Sequence, residues 1–134
     1  MLASADGVVV ATQASRPDDR QFDQGQLATQ PWVLFGNYVL VDYGHGRFGV
    51  YAHLQQGSVR PAVGARVQRG EAIARIGASG SAMFPHLHFQ LQDGADLHAE
   101  GLPSYFERIR AWPSAAAAPA SLRSVDTGEI VSGD

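Results

Sequence analysis

The sequence predicts an all-β domain of packed antiparallel sheets, and three observations carry that prediction. Short runs alternate apolar and polar residues, as in NYVLVDY (37–43), RFGVYAHL (47–54) and PHLHFQL (85–91), and a period of two belongs to half-buried strands. Fifteen glycines and seven prolines cut the chain into short pieces, which favours tight turns over long helices. A helical period emerges only once, near the C-terminal end.

GVVVAT (7–12) opens the domain as a β-branched strand behind an Asp6-Gly7 turn. Residues 14–36 show no period and read as a long surface loop with an apolar end at Trp32 to Phe35. Loops of this length inside compact domains often shape a binding cleft. NYVLVDY and RFGVYAHL, joined by GHG (44–46), form a predicted hairpin. In its second arm Phe48, Val50, Ala52 and Leu54 share one parity and Gly49, Tyr51 and His53 the other, which sets His53 opposite the larger apolar set. Residues 55–80 repeat glycine at 57, 64, 70, 77 and 80 around β-branched pairs, with Pro61 as a further breaker. Very short strands are expected there. GASGSAMFP (77–85) is a loop leading into PHLHFQL. GLPSYFERIRAW (101–112) places Tyr105, Phe106, Ile109 and Trp112 at helical spacing behind Pro103 and Ser104, predicting one short C-terminal helix. The domain is thus expected over residues 1–112. Residues 113–134 are of low complexity and poor in large apolar groups, so disorder is expected.

The composition narrows the function. A chain of 134 residues is one domain's worth. A net charge of −3, with no basic run, argues against a nucleic-acid partner. No window of about 18 apolar residues is present to span a membrane, and the N-terminus lacks the charged and apolar regions of an export signal. Cysteine is absent, so a metal would be held by His, Asp or Glu.

In a strand, His86, His88 and Gln90 of PHLHFQL share one face, and Leu87, Phe89 and Leu91 the other. The two histidine α-carbons then lie about 6.6–6.8 Å apart, so both imidazoles can reach one metal ion or one water. The competing reading is two polar residues on a solvated strand face. His45 in the GHG turn and His98 in DGADLHAEG read as exposed turn residues. Asp6 reads as turn chemistry, while Asn37 and Tyr51 either border a groove or pack.

YAHL (51–54), VGARVQRGEAIARIGASG (63–80) and PHLHFQL together resemble the zinc metallopeptidase domain of the lysostaphin and LytM type, which cuts peptide cross-links in bacterial cell walls. ADGVV (5–9) and GNYVLVDYGHG (36–46) fit the same pattern in the same order, so the resemblance covers roughly residues 3–106. It implies a lysostaphin-like duplicated hybrid motif with a substrate groove over the sheets, and zinc as cofactor. It makes His88 a zinc ligand, and places His53 and His86 beside a metal-bound water as the catalytic histidines. It also implies a peptide of the wall as partner and the cell envelope or the exterior as location. A catalytic zinc takes three protein ligands and lowers the pKa of its water to about 7. Imidazoles nearby can stabilise an oxyanion or carry a proton to the leaving nitrogen.

The resemblance also implies a second histidine and an aspartate in an H-x-x-x-D segment before ADGVV. No such segment occurs in the sequence. One expectation is therefore a start downstream of the true one, or a truncated gene product, and another is a degenerate relative that keeps the groove and has lost hydrolysis. A third is that Asp18, Asp19 or Asp23 substitutes as ligand.

Two other classes compete. VGARVQRGEAIARIG also looks like the hairpin half of a biotinyl or lipoyl carrier, but such a carrier needs a lysine, and all ten basic residues are arginine. The remaining rival is a catalytically inactive module that grips wall peptides along its groove.

Overall fold

The structure, a computed structural model, describes residues 1–106, 109–111 and 131–133. It divides into two units, Met1–Leu102 and Pro103–Asp134. The first unit holds a six-stranded antiparallel sheet of β1 (Gly7–Gln13), β2 (Tyr38–Asp42), β3 (Phe48–Ala52), β4 (Arg66–Val67), β5 (His88–Gln92) and β6 (Gly101–Leu102). The spatial order is β4-β1-β2-β3-β5-β6.

The alternation of apolar residues sorts the sheet into two faces. Val9, Val39, Val41 and Tyr51 point into one buried cluster with Leu54, Val67 and Ile73. Leu40, Val50 and Ala52 point into a second, with Phe35 buried and Trp32, Tyr38 and Phe48 packed beside it. In β1 the register slips between Val9 and Ala11. This bulge brings both Val10 and Ala11 against the second cluster.

β2 and β3 form the expected hairpin, pairing Val39 with Tyr51 and Asp42 with Phe48. β5 lies on the other side of β3, with His88 opposite Ala52. Two neighbouring strands thus carry the ends that build the site. Residues 14–36, read as a loop, contain two short 3₁₀ turns, Gln24–Gln26 and Pro31–Phe35.

Among the described residues of the stretch expected to be helical, 101–106 and 109–111, no helix is present. Gly101 and Leu102 pair with Gln92 and Leu91 as β6. In the second unit, β7 (Ile109–Ala111) pairs with β8 (Val131–Gly133). Strand pairing, with β5 in one unit and between β7 and β8 in the other, has overridden a local helical spacing, as tertiary context commonly does. The expectation of a disordered tail over 113–134 falls, apart from β8, outside the described residues.

Tyr51 packs in the core rather than bordering a groove. Its hydroxyl lies 2.7 Å from the Ser4 hydroxyl and 2.5 Å from that of Tyr43. Burial pushes the Tyr43 phenol well above its ordinary value, and the neighbouring Tyr51 adds to the effect.

Candidate active site

His53 follows the last residue of β3, and its backbone turns into the left-handed region, with φ of 57°. That single residue breaks the strand parity. Leu54 joins Tyr51 in the first cluster instead of following Ala52 into the second. The His53 ring stands over the Ala52 side of the sheet, where strict alternation would have turned it away. A non-glycine residue held at positive φ is unusual, and here the surroundings over-determine it. The His53 amide donates to Phe35 O at 2.9 Å, and its carbonyl accepts from Gly77 N at 2.9 Å.

Three imidazoles meet at this corner. The His53 and His86 ring centroids are 4.7 Å apart, and those of His53 and His88 are 5.8 Å apart with the planes nearly perpendicular. His86 lies two residues before β5, and its ring also faces Phe84 at 5.2 Å. His88, the first residue of β5, meets the Phe35 ring edge-on at 5.1 Å. The structure therefore brings together all three histidines singled out in the sequence, and leaves His45 and His98 exposed.

The hydrogen bonds of the rings fix which nitrogen each one offers. His53 Nδ1 lies 2.9 Å from Ser79 O, and His86 Nδ1 lies 2.8 Å from Phe84 O. A carbonyl only accepts, so Nδ1 carries the hydrogen in both rings, and in the neutral form of each Nε2 keeps its lone pair. Burial lowers the pKa of His53, the Ser79 bond opposes that shift, and His86 and His88 add to it. A neutral imidazole with a free Nε2 lone pair is a proton acceptor.

Behind the site, Asn37 is fully buried and ties three chain segments together. Its Oδ1 accepts from Arg16 N at 2.8 Å, and its Nδ2 donates to Arg16 O at 2.8 Å and Leu54 O at 3.0 Å. The Asn37 amide donates to Ser79 Oγ at 2.9 Å, and that hydroxyl donates to Leu54 O at 2.8 Å. Ser79 therefore anchors both β2 and the His53 ring. Asn37→Ala is expected to cost about 2–3 kcal/mol, because it leaves the Arg16 amide group without partners in a part-buried place. Urea unfolding of the variant beside the parent chain reads this loss directly.

Ser79 and Phe35 were not singled out as site residues in the sequence. The small polar residue between glycines in GASG was the available signal for Ser79, and the apolar end of the 14–36 loop for Phe35.

The described residues do not fit a catalytic zinc. Among them no group of three His, Cys, Asp or Glu side chains is placed to hold a metal ion. The aspartates considered as substitute ligands are engaged elsewhere. Asp18 accepts from Gln56 N and Ala78 N, Asp19 from Gln21 N, and Asp23 caps the first 3₁₀ turn through Gly25 N.

The family model for peptidase family M23 matches residues 1–99. Among solved structures, the chain is similar to the catalytic domain of a mutant of the prophage-encoded M23 protein EnpA from Enterococcus faecalis, with a TM-score of 0.57, 20% identity, and coverage of 76% of this chain and 64% of that one. It is similar to the catalytic domain of the antimicrobial peptidase lysostaphin from Staphylococcus simulans, with a TM-score of 0.52, 21% identity, and coverage of 75% and 65%. LytU gives a TM-score of 0.52 at 25% identity, with coverage of 74% and 58%. The first two likenesses show the fold alone. The matched part spans less than two-thirds of each of these three chains. No curated protein matches the chain significantly.

Proposed function

The chain belongs to peptidase family M23, and on that premise we propose that it carries the histidine half of a hydrolase site directed at peptide cross-links of bacterial cell walls. The observation that supports this reading best is the convergence of His53, His86 and His88 from two neighbouring strand ends. The similar structures include peptidases of the lysostaphin type, and the expected place of action is the bacterial envelope.

Hydrolysis of an amide needs a proton taken from the attacking water and one delivered to the departing nitrogen. His53 and His86 each turn an unprotonated Nε2 away from the carbonyl that holds Nδ1. Both are suited to accept a proton, and burial, by lowering the pKa of His53, keeps that ring unprotonated and available to do so. Stabilising an oxyanion by hydrogen bonding requires a protonated ring nitrogen, so either imidazole would do this only after it has accepted that proton. Met83 and Phe84, both well exposed, lie in the loop just before His86 and offer apolar contact to a bound peptide.

His88 is the residue of this chain offered to zinc. One imidazole does not make a catalytic zinc site, and the described residues bring no two further ligands to it. No hydrolytic step through zinc follows from this set. That same fact favours a second reading, in which the groove binds wall peptide without cutting it.

Atomic emission on the purified, dialysed chain, with His88→Ala beside it, separates the two when combined with a hydrolysis assay on peptidoglycan sacculi. Release of new amino groups from sacculi is the result expected for the hydrolase, and any zinc that accompanies it should be lost in His88→Ala. Retention on sacculi with no new amino groups and no zinc would replace it with the binding module.

A further inference from the structure

On one face of β5, His88, Gln90 and Gln92 stand in a row, because alternate residues of a strand share a face. Their side chains form a continuous hydrogen-bonded chain whose direction can be read from its far end. Gln92 is completely buried, and its Nε2 lies 2.7 Å from Gly94 O and 2.9 Å from Asp96 O. Two carbonyls can only accept, so this end of the amide must be the NH₂, with both hydrogens used. Its Oε1 then faces Gln90 at 3.0 Å, which makes the Gln90 atom there the donor. Gln90 Oε1 is left facing His88 Nε2 at 3.3 Å. Unless His88 Nε2 carries a hydrogen, two acceptors confront each other in a part-buried place.

The anchor itself is closed. Asp93 N donates to Glu100 O at 3.1 Å, and Glu100 N donates to Asp93 Oδ1 at 2.8 Å. The turn that supplies Gly94 O and Asp96 O is thus tied across its base.

We infer that Gln90 and Gln92 are positioning residues that hold His88 as the single tautomer protonated on Nε2, leaving Nδ1 as the nitrogen with which His88 meets whatever binds there. His53 and His86 are anchored the opposite way, at Nδ1. Two of the rings therefore present Nε2 and the third Nδ1, and fixed protein partners rather than solvent decide it. The functional weight of this relay rests on the reading of His88 as a site residue, but its test does not.

The test is a long-range ¹H–¹⁵N correlation spectrum of the ¹⁵N-histidine-labelled chain, treated with chelator and held above the imidazole titration range. His88 is expected to show Nε2 protonated and Nδ1 unprotonated, with no second form. Gln90→Met removes the acceptor and is expected to let an Nδ1-protonated fraction appear. Gln92→Leu is expected to do the same by freeing Gln90 to turn its amide round. Gln90→Glu keeps an acceptor facing His88 while losing the donor to Gln92 Oε1, and is expected to hold His88 Nε2 protonated where Gln90→Met does not, which a merely structural role for Gln90 would not explain. A parent spectrum with Nδ1 protonated overturns the inference, and so does a pure Nε2–H form that persists in Gln90→Met. If Gln92→Leu does not fold, the parent and the two Gln90 variants decide. A chain that fails to hydrolyse sacculi leaves the spectrum unchanged, so the two proposals fail separately.

Discussion

Gly36→Ala is expected to destabilise the domain by about 3–5 kcal/mol, among the largest effects a single added methyl can have. Gly36 closes the Pro31–Phe35 turn with φ of 63° and ψ of −121°, where a side chain is strained whatever the space around it. There is no space either. A Cβ would lie 2.5 Å from Gly80 N and 2.5 Å from Ser79 Oγ, and closer still to the Ser79 carbonyl carbon. The constraint is mutual, since a Cβ on Gly80 would lie 2.5 Å from Gly36 N. Two backbone segments thus touch where only glycines allow it. The damage would also spread, because the Ser79 carbonyl that would be displaced orients the His53 ring. Gly44→Ala is the control, having φ of 79° but nothing within 4 Å of the added atom. It is expected to cost about 1 kcal/mol from backbone strain alone. Equal urea midpoints for the two variants would show that the close approach at Gly36 does not matter.

The comparison of sequence with structure turns on how local each signal was. Alternation in NYVLVDY and RFGVYAHL is a statement about neighbours, and the hairpin it predicts is present with β2 and β3 in register. The helical spacing of residues 101–112 was equally local, yet in the described part of that stretch strand pairing took its place. The family resemblance carried by YAHL, the glycine-rich run and PHLHFQL agrees with the family match and the sheet. The position of His53 was not legible from parity. A left-handed residue at the end of β3 reverses which side every later residue faces, and histidine carries no mark of that backbone state. Ser79 was hidden for a related reason, since its role depends on a contact with Asn37 across 42 positions. Gln92 lies one residue beyond PHLHFQL and was not singled out in the sequence. Its place at the head of a chain of amides follows only once Gly94 and Asp96 fold back under it.

On the proposed hydrolase reading, His53→Asn is expected to lower the rate of wall-peptide hydrolysis by about 10²–10⁴-fold, the usual worth of a positioned proton-transfer group. Asparagine is the informative replacement because it tolerates the left-handed backbone that position 53 requires, whereas alanine would mix strain with the loss of the ring. Its side-chain NH₂ can also still donate toward Ser79 O, so the anchor is kept while the far nitrogen is deleted. The expected signature is a fall in kcat with thermal stability close to that of the parent chain. His86→Asn removes the second free Nε2 and is expected to give a smaller loss, because His86 is less buried than His53 and water can replace it more readily. A double variant tests whether the two act on one proton. If they do, its loss will match that of His53→Asn alone instead of multiplying the two effects. Full activity in His53→Asn would remove His53 from the chemistry and leave it as the buried hinge that its backbone already makes it.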